Sequence, residues 1–481
     1  MKPSVSSSTQ AVLDLEDRAP DVLFDAVDGR VPLWPQFRTG VWTALNTPTY
    51  GLSRPVLSKP RSRFRAWTHI ARSFLAPTLD APRSAQHAPV CFVANGTTVF
   101  AEGNREFNWL VGPFATMSGV DAAIVQWGPL PGRWGKPLHD ATWSMEPASV
   151  RAQTLQRFSR RDSSDEVTRI VREVLRKLDV ELPAGAAESI IEGAVARERE
   201  RPFQIAAFSR MLDRVQPAVV VMEEASYGTY AAHIQVLRDR GIVVAEPQHG
   251  WIGPTHAAYN FGAAMYEGPL RATLPDHLLT FGDYWGTGLR FPGTITTIGK
   301  PHLDMAVSKY SLPMAHRRQV LVASSTTDPE AMTDVVLSLR ARLTREFDIV
   351  FRPHPSERLT LTERYPRLIG VDGVIFDHRG EVYEALGAAR ALVGVASTVL
   401  FEATAFGCQV FALDSPMAEY YVGDRFGPLV DPARLDGMVE EITGSTPARD
   451  TTGLDAAMWA PSAGENFCRW LADVQGVVPR G

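Results

Sequence analysis

Two segments offer groups of the kind that hold a phosphate. Arg352-Pro353-His354-Pro355 ends the apolar run Phe347-Asp348-Ile349-Val350-Phe351, and Ser397-Thr398 follows Gly394-Val395-Ala396 and precedes Val399-Leu400-Phe401-Glu402-Ala403. A cation and an imidazole leave the first run; two hydroxyls open a helix after the second. The two prolines freeze the turn around His354, and Arg352 carries a fork of donors suited to phosphate. Ser397 would cap its helix, a local contribution of ~1 kcal/mol by itself. The amides of 398–400 would also face an anion at the positive end of the helix dipole, with Gly394 leaving room for close approach. Glu402, one turn further in, could accept two hydrogen bonds from a ribose diol.

A third segment, Glu246-Pro247-Gln248-His249-Gly250-Trp251, repeats the strand-to-histidine design in the first half. Histidine is the side chain best suited to moving protons near neutral pH. A rival base stands in Glu223-Glu224, after the apolar run Val219-Val220-Val221-Met222. Adjacent strand residues point to opposite faces, so one of the pair should reach the cleft, and Glu224 is nearer the turn. Gln248, His256 and Tyr259 would line an acceptor site. Lys300, at the end of another strand, could reach a phosphate. Ser324, Ser325, Thr326 and Thr327 form a hydroxyl-rich turn after the run Gln319-Val320-Leu321-Val322-Ala323, with Ser325 placed towards the donor. No glycine-rich dinucleotide fingerprint, Walker loop or serine-nucleophile elbow is present. No Asp-x-Asp strand-end motif or metal-ligand spacing occurs, so no metal or cofactor is expected.

These groups need strands that all end at one edge. The run 90–94 and the run 122–127 read as strands, residues 150–214 as two or three helices, and 218–222 and 241–245 as strands buried on both faces around a helix at about 228–240. Strand, helix, strand with short turns is a parallel crossover unit. Residues 278–298 hold two more strand candidates. The rhythm restarts at 319–323, with strands at 347–351, 391–395 and 409–413 and helices at 329–346, 380–388 and 398–406. The expected fold class is α/β: two Rossmann-like, doubly wound domains facing a cleft. Residues 1–85 read as an N-terminal extension, disordered to about residue 18 and ordered over 21–45. Residues 86–300 read as the acceptor domain, 301–313 as a linker and 314–481 as the nucleotide-donor domain. The segment around Phe467, Trp470 and Leu471 is apolar enough to pack as a helix, with the first domain a candidate partner.

With 481 residues the chain exceeds what one core serves. Hydrophobic residues make up 45% and charged residues 21%, as in soluble globular proteins. The net charge of −5 argues against nonspecific nucleic-acid binding. The three cysteines, Cys91, Cys408 and Cys468, are far apart and read as reduced thiols of a cytoplasmic protein. The first residues lack a signal-peptide pattern, and no apolar run approaches the ~20 residues that span a bilayer. Residues 54–73 carry Arg54, Lys59, Arg61, Arg63, Arg65 and Arg72 with no acid, interleaved with Phe64 and Trp67. This stretch is either a solvated basic face or a peripheral contact with an anionic membrane.

Taken together, Glu246-Pro247-Gln248-His249-Gly250, Arg352-Pro353-His354-Pro355 and Ser397-Thr398-Val399-Leu400-Phe401-Glu402-Ala403 resemble bacterial surface-polysaccharide glycosyltransferases of GT-B fold. The nearest kin are capsule polymerases of the polysialyltransferase type and teichoic-acid CDP-glycerol glycerophosphotransferases. Asp28-Gly29-Arg30-Val31-Pro32-Leu33-Trp34 also looks like the early part of capsule-biosynthesis proteins. The resemblance covers about residues 215–425. It implies a metal-independent transfer of a sugar from a CMP- or other nucleotide-linked donor to a glycan or lipid-linked acceptor, with His354 and Ser397 at the donor phosphate and Glu402 at the ribose. The histidine before glycine that serves as base in the glycerophosphotransferases maps onto His249. The acidic pair of the polysialyltransferases maps onto Glu223-Glu224, here followed by Ala225 rather than glycine. The glycerophosphotransferases carry aspartate where Glu402 stands. An alditol-phosphate transferase, a nucleotide-sugar 2-epimerase and a non-catalytic capsule-assembly scaffold are the alternatives.

Overall fold

The computed structural model describes residues 7–50, 68, 70–71, 73–74, 87–95, 99–102, 105–128, 136–137, 139, 141–156, 163–324, 328–358, 360–377, 381–444 and 452–474. The basic stretch 54–73 falls mostly outside them. The first half builds a seven-stranded sheet from β1 (Val90–Ala94), β4 (Ala122–Gln126), β6 (Thr142–Ser144), β7 (Val219–Met222), β8 (Val243–Pro247), β9 (His277–Thr280) and β10 (Thr294–Thr297). Its order is β10-β9-β8-β7-β1-β4-β6, parallel throughout. Three short strands, β2 (Val99–Glu102), β3 (Arg105–Asn108) and β5 (Lys136–Pro137), form a separate small sheet. The second half builds a five-stranded parallel sheet from β11 (Gln319–Ala323), β12 (Asp348–Arg352), β13 (Val374–Phe376), β14 (Ala389–Gly394) and β15 (Gln409–Ala412), in the order β13-β12-β11-β14-β15. The molecule is thus an α/β protein of two Rossmann-like halves, as expected.

The local reasons are those of buried parallel strands. β7 and β1 are apolar and buried at every position, because helices cover both faces of such a sheet. Helices start at caps that the sequence supplies: Asp328 accepts the Ala331 N–H at 3.0 Å ahead of Pro329–Arg342, and Ser415 accepts the Ala418 N–H at 3.1 Å ahead of Pro416–Tyr421.

Two stretches differ from expectation, and a third packs where it was a candidate to. Residues 7–18, whose polarity suggested disorder, form the helix Ser7–Arg18. Two of its polar residues, Thr9 and Glu16, are buried: Glu16 accepts from Trp34 Nε1 at 2.8 Å, Arg38 Nε at 2.5 Å and the Gly262 N–H at 2.7 Å. Its short apolar face, Val12 and Leu15, packs into the core, but buried Thr9 and Glu16 interrupt the pattern that would reveal it. The proline-bounded stretch after residue 300 is largely the helix Pro301–Tyr310, with proline at its first turn. The helix Ala463–Asp473, which lies in the stretch read as the second domain, packs on the first sheet, the partner the sequence put forward. Phe467 lies 4.7 Å from Phe114 and 5.9 Å from Phe92, ring centre to ring centre, and Trp470 and Leu471 complete that core.

Candidate functional site

At the edge where the first sheet's strands end, β7 runs into Glu223 and Glu224. Glu223 is buried and its carboxylate accepts the Asn95 N–H at 2.6 Å. Glu224 adopts a left-handed backbone, φ 58°, which costs energy outside glycine. Its carboxylate comes to 4.0 Å from His249 Nε2; 38% of the Glu224 side chain and 19% of that of His249 remain open. Of the two acids, Glu224 is the one beside the histidine. Desolvation raises its pKa, opposed by a hydrogen bond from the Asn95 side chain. Burial pushes the His249 imidazole down to about 4, so it is neutral at ordinary pH.

A polar cluster lies under His249. Glu246, buried on β8, accepts the Ser226 N–H at 2.7 Å and the Tyr259 hydroxyl at 2.9 Å. The Tyr259 oxygen is 3.5 Å from His249 Nδ1. Burial raises Glu246 to about 7. His256 caps the turn Ala257–Tyr259 through Nδ1, which accepts the Ala258 N–H at 3.2 Å; its Nε2 is 3.3 Å from the Tyr227 hydroxyl, and Trp42 stacks on its ring at 5.3 Å. Gln248, His256 and Tyr259, expected to line the acceptor, are all buried. Gln248 gives its amide nitrogen to Gly250 O and accepts the Phe281 N–H, both at 2.8 Å, and so ties the end of β8 to that of β9. Of the three, Tyr259 reaches His249 directly.

At the second sheet's edge, His354 is exposed while its backbone is clamped: its N–H meets Ser324 Oγ at 2.9 Å and Glu357 Oε2 at 3.0 Å. Glu357 is itself held by Ser324, by Arg364 Nε at 2.9 Å and by the Tyr365 hydroxyl at 2.9 Å. The ring's Nδ1 accepts the Ser356 N–H at 3.3 Å. Ser397 caps Thr398–Ala405 by accepting the Val399 N–H at 3.3 Å. β12 and β14 flank β11 in parallel, so His354 and Ser397 leave one edge two strand spacings, about 10 Å, apart.

Other expected donor contacts are already occupied. Arg352 is buried and paired with Asp377. Lys300 and Glu402 are buried and paired with each other across the two halves. Lys300 Nζ also lies 4.7 Å above the Trp109 ring and 5.0 Å above that of Phe281. A Cβ on Gly394 would lie 3.3 Å from Leu400 Cδ2 and 3.4 Å from Ala323 O, so this glycine serves helix packing and not ligand approach. Ser325 lies outside the described residues. Sequence reasoning missed Glu357 and Asp377. His-x-x-Glu at a proline-bounded turn is capping-box spacing, which pointed to Glu357; nothing local pointed to Asp377.

The two edges meet directly. A Cβ on Gly250 would lie 3.7 Å from Thr398 Oγ1. Next to it the Trp251 ring contacts Tyr421 at 4.6 Å and Tyr420 at 5.3 Å, and the Tyr420 hydroxyl donates to Thr255 O at 2.9 Å. Among the described residues no group of three or more His, Cys, Asp or Glu is placed to hold a metal ion, and no helix is long and apolar enough to cross a membrane.

No family model matches the sequence, and no curated protein matches it. Solved structures do resemble it. A UDP-GlcNAc 2-epimerase from Methanocaldococcus jannaschii is 11% identical over 80% of this chain and 99% of its own, with a TM-score of 0.47. The UDP-GlcNAc 2-epimerase from Neisseria meningitidis, bound to UDP-GlcNAc, is 12% identical over 80% and 98%, with a TM-score of 0.46. An α,α-trehalose 6-phosphate synthase from Burkholderia multivorans is 11% identical over 82% and 95%, with a TM-score of 0.38.

Proposed function

We propose that this chain transfers a sugar from a nucleotide-sugar donor to a hydroxyl of a glycan or lipid-linked acceptor. The observation that carries the reading is the contact of the two edges: Gly250, next to His249, sits against Thr398 at the start of the helix that Ser397 caps. A donor whose phosphates lie at the amino end of that helix has its reactive carbon in reach of His249. Nε2 of His249 takes the proton of the acceptor hydroxyl. The acceptor oxygen bonds to the anomeric carbon, and the bond from that carbon to the phosphate oxygen breaks, its electron pair leaving with the nucleotide. Glu224, 4.0 Å from Nε2, stabilises the imidazolium that forms. His354 and the amides of 398–400 meet the charge that develops on the leaving group. Arg352, Lys300 and Glu402 act one step back, holding the elements that carry these groups.

The test is acceptor-dependent release of free nucleotide from CMP-, CDP-, UDP- and GDP-linked sugars. His249→Ala should lose on the order of a hundredfold or more in kcat. His354→Ala, whose ring is exposed and bonded only locally, should abolish donor turnover with an unchanged melting temperature. Interconversion of a nucleotide sugar without any acceptor would overturn transfer in favour of epimerisation. Failure of every nucleotide to raise the melting temperature would overturn both.

A further inference from the structure

Below His249 lie two linked groups that the proposed reaction does not touch, Tyr259 and Glu246. The Tyr259 hydroxyl has one proton; Glu246 Oε1 lies 2.9 Å and His249 Nδ1 3.5 Å from its oxygen, and the Tyr227 hydroxyl also stands beside it. An ionised carboxylate is the stronger acceptor and here also the nearer one, so it takes that proton. The face of the Tyr259 oxygen towards His249 then offers only lone pairs, and Nδ1 can bond to it only as a donor. A neutral imidazole carries one proton; with that proton on Nδ1, Nε2 is left with its lone pair, on the side where Glu224 lies. Glu246 is held for this by its other oxygen, which accepts the Ser226 N–H at 2.7 Å.

We propose that Glu246, acting through the Tyr259 hydroxyl, sets the tautomer of His249 so that Nε2 is the open proton acceptor. Both are positioning residues, and the inference rests on His249 as the base. Removing the carboxylate should reverse the tautomer instead of merely loosening it. In Glu246→Gln the amide oxygen keeps the Ser226 N–H and the amide NH2 turns to Tyr259. Tyr259 must then accept from the amide and donate its own proton to Nδ1, which forces the imidazole proton onto Nε2. In Tyr259→Phe neither nitrogen is preferred.

The groups that face Glu246 and His249 are Glu224, Tyr227, Tyr259 and His256, with Arg38 behind His256. The measurement is best made at about pH 8, above the value of about 7 to which burial raises Glu246. Long-range nitrogen–proton NMR of the full chain, its histidines labelled with 15N and His249 identified by the His249→Gln spectrum, reads the tautomer without any turnover. The expected result is a proton on Nδ1 in the native chain, on Nε2 in Glu246→Gln, and a mixture in Tyr259→Phe. Nucleotide release should fall on the order of a hundredfold in Glu246→Gln with KM for the donor unchanged. A native chain protonated on Nε2, or a Glu246→Gln chain still protonated on Nδ1, overturns the proposal even if one of the variants fails to fold. The expected tautomers in a protein that transfers no sugar would leave the relay standing and remove the base assignment alone.

Discussion

His233 shows how much a single buried side chain can govern. It is 4% exposed, neither ring nitrogen has a hydrogen-bond partner, and Trp127, Phe208 and Tyr230 enclose it edge-on at 5.2, 5.0 and 5.7 Å. Burial pushes its pKa from 6.5 to about 4. The folded chain therefore binds fewer protons than the unfolded chain between those values, and stability rises with pH through that window and is lost as pH falls. The loss from this one residue is about 2 kcal/mol at about pH 5. His249 and His256, lowered to about 4 and about 3, have the same sign, while Glu246, raised to about 7, has the opposite one. His233→Phe should leave the melting temperature at neutral pH unchanged or higher and flatten its decline on acidification; an unaltered slope in melting curves from pH 7 to about 5 would contradict this. At this scale the sequence disclosed the residues that stand just past apolar runs, His249, His354 and Ser397. It hid acids such as Glu246 and Glu357, because their roles depend on Tyr259, Ser324 and Tyr365, which only the fold brings near.

Between elements, the tightest approach is that of Gly228 to the start of the helix Trp34–Tyr50. Its φ is +84°, and a Cβ there would fall 1.7 Å from Pro35 O. Gly29 shares the left-handed backbone, φ +68°, but a Cβ there meets nothing within 4 Å. Gly29→Ala should cost only the backbone strain, about 1–2 kcal/mol. Gly228→Ala should cost that and a displaced helix as well, about 3 kcal/mol or more. Equal costs in urea denaturation would show that Pro35 moves freely. The strands and crossover helices were legible because buried parallel strands are continuous apolar runs between turn residues, and β1, β11 and the helix Thr398–Ala405 fall within a residue of where the pattern puts them. The helix Ser7–Arg18 was not, because it buries Thr9 and Glu16 against partners more than 20 positions away or on the far loop at Thr255 and Gly262. β6, only three residues long, is too short to carry a period.

Across the whole molecule, the halves are joined by an ion pair taken out of water. Lys300, 4% exposed, ends the first sheet and Glu402 lies on the helix Thr398–Ala405. Breaking such a pair leaves one charge buried and alone, a loss of about 3–5 kcal/mol, whereas replacing both partners by apolar groups is close to neutral. Lys300→Met and Glu402→Leu should each lower stability by that amount and the double variant by much less; additive losses in a thermodynamic cycle would rule out the coupling. The two-sheet architecture was readable from the restart of the strand rhythm near residue 319. The pairing of Lys300 with Glu402 was not, since 102 residues separate them and each alone reads as a ligand contact.

The path of the last helix has a bearing on how the protein is made. Phe467, Trp470 and Leu471 fill the core beneath β1 and β4, while the Ala460 N–H bonds to Phe281 O at 2.8 Å on the way there. A nascent chain leaving the ribosome can assemble the second sheet as a unit, but the first waits for its final plug. The first lobe thus takes its closing helix from a point in the chain beyond the whole second sheet, and a chain lacking residues 463–473 would carry an open apolar floor under the strands that position His249.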